Sequence, residues 1–370
     1  MTTPVNLFEN IGMSVCGKDV FKFFVEIDVK SNNSKIICRK NDSKDNIIIF
    51  KIDNGIIRDA SLIIDGNDAM PDGYMGLVWV IDNNHGLSGI IYYAEINNSL
   101  IVVKQDKLRI STYPAFISLP KAFRFNNYVF ICWVDHLKNK AMCLLYSLLD
   151  KMIRVEDVSD NKVHSSYLSL LGHRHTRNLT LVPSGNGRAY LQYISCDGEI
   201  CTFCISILKN SKVAIDLLFK QYAENIGYHQ TLMDQKSRTL VTVFSENGIK
   251  GVANTNDIYI FTQRMFNEND INISGGAERV NQTKGFYVRP QLCLSDDRYY
   301  IFWESDDSIN YTSIDIGGSI VTPESSMHID TPVNLSCLST EDGIIICSQI
   351  DNWATLDLGT SLDYANITLN

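Results

Sequence analysis

The phrase Thr3-Pro4-Val5-Asn6-Leu7 returns near the other end of the chain as Thr331-Pro332-Val333-Asn334-Leu335. Each copy leads through a polar, turn-forming stretch into an apolar run, residues 20–28 in one case and 343–349 in the other. The same order of parts recurs between them. Tyr113-Pro114-Ala115-Phe116-Ile117-Ser118 passes through Asn126-Asn127 to Tyr128-Val129-Phe130-Ile131-Cys132-Trp133. Arg289-Pro290-Gln291-Leu292-Cys293-Leu294-Ser295 passes through Asp296-Asp297 to Tyr299-Tyr300-Ile301-Phe302-Trp303. Residues 178–182 before 189–194, 229–233 before 239–244, and 59–64 before 76–80 follow the same plan, the last with a longer turn. Short apolar runs bounded by Asn, Asp, Ser and Gly read as β-strands joined by tight turns. Pro4, Pro114, Pro290 and Pro332 fall in the first residues of such strands, where a missing ladder donor is tolerated.

The residues that end the second strand of each unit are Phe24, Trp79, Trp133, Tyr193, Phe244, Trp303 and Cys347, at spacings of 55, 54, 60, 51, 59 and 44. A third strand follows each anchor after a polar turn, for instance residues 89–95, 141–148 and 258–263. Strand-rich units repeating at about this period predict a β-propeller, a ring of four-stranded sheets. The expectation is therefore an all-β chain forming a single seven-bladed propeller of antiparallel blades. The approximate blades are residues 1–56, 57–111, 112–163, 176–224, 227–274, 286–330 and 331–370. The ring is expected to be closed by the N- and C-terminal segments, which meet by strand pairing. A pair of packed β-sandwiches is the competing architecture. Residues 213–225 and 164–171 carry patterns that a short helix would also satisfy.

Composition narrows function. With a net charge of −9 there is no bulk of cations to neutralise a phosphate backbone, so no nucleic-acid partner is expected. Apolar runs such as Ile344-Ile345-Ile346-Cys347 are far too short to span a membrane. Residues 1–10 show neither the basic nor the apolar region of a Sec signal. The expectation is a cytoplasmic protein, or one exported by a signal-less route. Most of the ten cysteines sit inside strand-like runs, as buried thiols do in a reducing compartment. Cys201-Thr-Phe-Cys204 spells C-x-x-C, but strand residues three apart point to opposite faces, so no metal site is read from it. His173-Arg174-His175 has no carboxylate or cysteine at ligand spacing and reads as an exposed loop. No cofactor is expected. The N-x-S/T triplets at Asn178, Asn272, Asn281 and Asn334 follow from an Asn- and Ser-rich composition.

In period and strand order the whole chain resembles the β-propellers used by sugar-binding lectins and by sialidase-like and furanosidase-like glycosidases. Ser313-Ile314-Asp315-Ile316-Gly317 is the nearest approach to the sialidase S-x-D-x-G-x-x-W phrase and lacks its aromatic residue. Arg58-Asp59-Ala60 departs at its third residue from the Arg-Asp-Pro phrase of furanosidases. The resemblance implies a ligand face over the central channel, where first strands begin and second strands end. The repeat places Arg58, Asp59, Tyr113, Arg177, Tyr228, His229, Tyr287, Arg289 and Asn334 there from first strands. It places Glu26, Asp82, Asp135, Glu246 and Glu304 there from second strands.

Aromatic faces stack on sugar rings, and fixed charges bond hydroxyl pairs. The leading expectation is therefore a carbohydrate or glycoconjugate ligand, held by Arg58, Tyr113, Arg177, Tyr228, His229, Tyr287, Arg289 and Glu304. The alternative is a glycoside hydrolase or lyase, with Asp59, Asp135 and Glu304 as candidate catalytic acids and three arginines converging on a carboxylate. A protein-interaction scaffold is the third reading, and assembly into a homo-oligomer stays open. Trp79, Trp133 and Trp303 are assigned to the core between blades.

Overall fold

The computed structural model describes residues 6–16, 18–28, 30–41, 43, 45–65, 74–83, 90–109, 117–135, 140–151, 153–157, 179–195, 199–208, 213–222, 226–246, 257–267, 270–283, 285, 287–305, 307–329, 332–340, 343–351 and 360–367. Within them all regular structure is β. Local hairpins give four-stranded antiparallel sheets in simple sequence order. These are β1 (Asn6–Cys16) to β4 (Ile47–Ile52), β13 (Leu179–Gly185) to β16 (Val213–Tyr222), β17 (Ile226–Asp234) to β20 (Asp270–Arg279), and β21 (Val288–Ser295) to β24 (Ile320–His328).

Strands β5 (Gly55–Asp65) to β8 (Val102–Arg109) and β9 (Ile117–Phe125) to β12 (Ile153–Asp157) form two further meanders. A short parallel pairing of Ile63–Asp65 with Ala122–Arg124 fuses them into one eight-stranded sheet. Strands β25 (Pro332–Thr340), β26 (Gly343–Asp351) and β27 (Thr360–Ile367) make the last sheet. The first strands succeed one another in space, β1 beside β5, then β9, β13, β17, β21 and β25, and β25 lies again beside β1. Sheets stacked radially in this way make a β-propeller with four-stranded antiparallel blades.

Among the described residues, the first and the last sheet share no strand. β1 pairs with β2 (Asp19–Asp28) and β25 with β26, because each terminal strand finds its hairpin partner next in sequence. Closure runs through side chains instead. Asn10 Nδ2 donates to the Asn334 carbonyl oxygen and to Ser336 Oγ, both at 2.8 Å. The 213–225 ambiguity resolves as the outer strand β16, and 164–171 lies outside the described residues.

Second strands are buried on both faces, which is why they read as unbroken apolar runs. Each face belongs to a different seam. Val129, Ile131 and Trp133 pack back onto the β5–β8 blade, while Phe130, Cys132 and Val134 pack forward onto β13–β16. Trp79, Trp133 and Trp303 are buried in such seams. Outer strands alternate between half-buried and exposed, as β8 does. The tight turns need left-handed backbone. Asp296 and Asp297 sit at φ 50° and 58°, and Asn186 and Gly187 at 52° and 73°, the pattern of a two-residue I′ hairpin. A Cβ at Gly187 would come within 2.8 Å of the Phe125 ring on the neighbouring blade.

Candidate functional site

One end of the sheets collects the first-strand starts and second-strand ends. Pairings of Ile57 with Ile81, Ile117 with Asp135, Ile226 with Glu246 and Val288 with Glu304 bring them level. We call this end the upper rim. Nearly every first strand is bulged close to it, skipping Ile11, Arg58, Leu119-Pro120, Gly227, Arg289-Pro290 and Asn334-Leu335. A bulge leaves backbone groups unpaired and re-aims side chains. Leu119, Arg289 and Asn334 adopt positive φ (53°, 51° and 55°), and the proline after the first two removes a donor that the ladder could not have satisfied.

The bulges explain where the polar side chains go. Asp59 Oδ2 accepts the Leu119 amide of the next blade at 3.3 Å. Glu304 Oε1 accepts the Leu335 amide of the next blade at 2.7 Å. Gln230 Oε1 accepts the Leu292 amide, again one blade on. Acids and amides of one blade thus satisfy backbone donors freed near the bulges of the next.

Arg289 and Glu304 form the densest group. The guanidinium Nη1 donates to Glu304 Oε2 at 2.6 Å, and its Cζ stands 5.6 Å from the Tyr228 ring centroid of the preceding blade. The side chains of Arg289 and Glu304 are 10% and 2% exposed. Burial works against the Arg289 charge, but Glu304 and Tyr228 outweigh it and raise the pKa. Tyr287 lies edge-on to Trp303 with centroids 6.0 Å apart, its hydroxyl bonded to Thr283. Arg58 pairs with Asp82, and both keep some solvent access. Tyr228 is half-buried, its backbone amide donating to Ser245 Oγ at 3.2 Å.

His229 points elsewhere. Its Nε2 lies 3.3 Å from Thr180 Oγ1 in the seam between β13–β16 and β17–β20. Burial lowers its pKa to about 4, so the ring is neutral near pH 7. Around it runs a belt that sequence reading missed. Gln192 Nε2 donates to Thr202 Oγ1 at 3.0 Å, and Gln192 Oε1 accepts Thr231 and Thr242 hydroxyls. Gln263 Oε1 completes the belt, 3.4 Å from Gln192 Nε2. The signal was available: Gln192 and Thr242 are single polar residues centred in runs otherwise buried on both faces.

The structure thus brings Arg58, Asp59, Tyr228, Tyr287, Arg289 and Glu304 to one rim, together with Asp135, which is 5% exposed. Tyr113 and Arg177 lie outside the described residues. Among the described residues no group of three His, Cys, Asp or Glu side chains is placed to hold a metal ion, and no helix is long and apolar enough to cross a membrane.

No family model matches the chain, and no curated protein does. Solved structures do. A prolyl endopeptidase aligns over 94% of this chain and 47% of its own, at 10% identity and a TM-score of 0.51. The Aleuria aurantia fungal lectin, a six-bladed β-propeller with a fucose recognition mode, aligns over 88% of this chain and 96% of its own, at 10% identity and a TM-score of 0.47. A thermostable family-43 glycoside hydrolase covers 65% of this chain and 86% of its own, at 12% identity and a TM-score of 0.37. At 10% identity the likeness to the prolyl endopeptidase is one of fold alone.

Proposed function

We propose that the chain is a carbohydrate-binding propeller of seven blades, non-catalytic, taking a glycan or glycoconjugate on the upper rim over the channel. The cyclic succession of first strands supports the blade count. The observation that carries the functional reading is the engagement of the buried and half-buried carboxylates described at that rim. Asp59 and Glu304 hold backbone amides of the next blade, Asp82 holds Arg58, and Glu26 holds Lys35 at 2.9 Å. Asp135 and Glu246 interact with neighbours as well. Glycoside hydrolysis needs two carboxyls about 5–9 Å apart with separated pKa values, one of them able to give up a proton at each turnover. Carboxylates committed to holding blades together suit binding instead. They fix the guanidinium of Arg58 and the Tyr228–Arg289 stack as rigid donors and stacking surface, which recognise sugar hydroxyls and ring faces at little entropic cost.

A broad glycan array with the intact protein tests this, followed by titration of the hits against Arg58→Ala and Tyr228→Ala. We expect Kd values between about millimolar and micromolar, weakened roughly 5- to 150-fold by either change, as loss of about 1–3 kcal/mol requires. Turnover of an aryl glycoside or release of reducing ends would sink the non-catalytic reading. Absence of any glycan hit would leave the scaffold role as the better account.

A further inference from the structure

Cys132 and Cys143 face each other in the hairpin of β10 (Tyr128–Asp135) and β11 (Lys140–Ser147). The register is unbroken from Tyr128 opposite Ser147 to Asp135 opposite Lys140. Among the described residues no other two cysteines stand opposite one another in a ladder. The kind of pair follows from one hydrogen bond just beyond the ladder, where the Leu148 amide donates to the Asn127 carbonyl at 2.8 Å. Hydrogen-bonded and non-hydrogen-bonded pairs alternate along antiparallel strands. Counted from 127 with 148, the pairs 129–146, 131–144 and 133–142 exchange hydrogen bonds, and 132–143 falls between two of them. At such a position the Cα atoms stand about 4.5 Å apart and the side chains lie closer than at the alternate pairs. That spacing falls inside the window of roughly 4.4–6.8 Å that a disulfide spans.

Both side chains lie in the seam packed against the β13–β16 blade, 0% and 1% exposed. Burial pushes the Cys132 thiol far above its ordinary pKa, so the folded ring offers almost no thiolate to an oxidant. The hairpin, by contrast, is local. Four residues separate its strands, so it can close within about 1–10 μs. The blade that covers the two thiols lies later in the chain. A hairpin formed before that blade docks brings the thiols together while solvent still reaches them.

We propose that Cys132 and Cys143 are an oxidation site, joined as a cross-strand disulfide when the chain folds in the presence of a small disulfide, before the seam closes over them. One thiolate attacks the small disulfide, forming a mixed disulfide and releasing one thiol. The second thiolate attacks the mixed disulfide at the protein sulfur and releases the other. The two protons and two electrons leave with the two small thiols. The bond would tie the strands three residues short of Asp135 and Lys140, at the hairpin end that reaches the upper rim. Cys201, the third cysteine of that seam, belongs to the neighbouring blade and takes no part.

Cell-free synthesis of the full chain in a buffer of oxidised and reduced glutathione tests the proposal. The soluble product is alkylated in denaturant and digested with trypsin. Residues 125–138 should appear linked to residues 141–151, with two fewer alkylated thiols than the ten of chain made under reductant. Cys143→Ser should lose the linked peptide, and Cys201→Ser should keep it; should either variant stay insoluble, the map of the parent decides. Reduced, folded chain moved into the same buffer should gain the bond at least about tenfold more slowly. A parent product with all ten thiols, a link from Cys132 to another cysteine, or loss of the link in soluble Cys201→Ser overturns the proposal. Oxidation of the folded chain at an equal rate overturns the order of events.

Discussion

Replacing Glu304 with glutamine removes one charge and little else. The shape is kept, and Oε1 remains as an acceptor for the Leu335 amide 2.7 Å away. What is lost is the counter-charge to Arg289, whose guanidinium sits 2.6 Å from Glu304 Oε2 with its side chain 10% exposed. Breaking a buried pair by removing one partner typically costs about 3–5 kcal/mol, because the remaining charge is stranded. At about 2.1 cal/mol/K per residue, 370 residues give an unfolding entropy of about 0.8 kcal/mol/K. Glu304→Gln should therefore lower Tm by about 4–6 °C, provided that the chain melts cooperatively. Arg289→Met combined with Glu304→Leu removes both charges and should recover about half of the loss, leaving only the orphaned Leu335 amide at about 1–3 kcal/mol. Melts in 50 mM and 500 mM salt complete the assay, since a buried pair is hardly screened. A shift under 1 °C, or one that vanishes at high salt, refutes the claim that this pair holds the rim together.

Other expectations follow from the same geometry. His229 is neutral in the fold, its pKa lowered to about 4 from 6.5. The unfolded chain therefore binds the extra proton first, so stability is complete above about pH 6.5 and falls as pH drops towards 4, by about 3 kcal/mol in all. Denaturant titrations across that window should show the slope in the parent and a flatter profile in His229→Gln. Burial pushes the Cys38 and Cys347 thiols up to about 12, so a thiol reagent should react with few groups in the native protein and with about ten in denaturant without reductant. A denatured count near zero contradicts this. Gly187→Ala meets both a φ of 73° and the Phe125 ring, and should cost more than about 1 kcal/mol in denaturant midpoints.

The strands were legible because the second strand of each blade is buried on both sides and so spells an apolar run, as residues 299–303 do. The turns were legible because Asp296-Asp297 and Asn126-Asn127 are residue pairs that tolerate left-handed backbone. The equivalence of strand starts and ends also placed Arg58, Asp82, Arg289 and Glu304 at one end, where the structure pairs Arg289 with Glu304 and Arg58 with Asp82. What escaped reading was the work these groups do. Asp59 finds the Leu119 amide only because β9 is bulged, and a bulge is a matter of backbone geometry with no residue type of its own. His229 and Tyr228 are neighbours in sequence, yet strand alternation sends one into the β13–β17 seam and the other towards Arg289. Among the described residues the terminal strands close the ring from different sheets and do not pair in one blade, for a similar reason. The repeated phrase marks equivalent first strands, and equivalent strands occupy equivalent places in different sheets.

The contacts from Asp59, Gln230 and Glu304 to main-chain amides have a consequence for how such a chain can vary. Every residue except proline offers the same amide, so the position whose amide donates can change its side chain freely without notice to the blade that supplies the acceptor. Covariation between blades is therefore unnecessary for the joint to persist. A ring assembled through such generic sockets tolerates drift until its copies share little more than a rhythm. The identity of residues 3–7 with 331–335 is then one of the few places where the wording, as well as the metre, has survived.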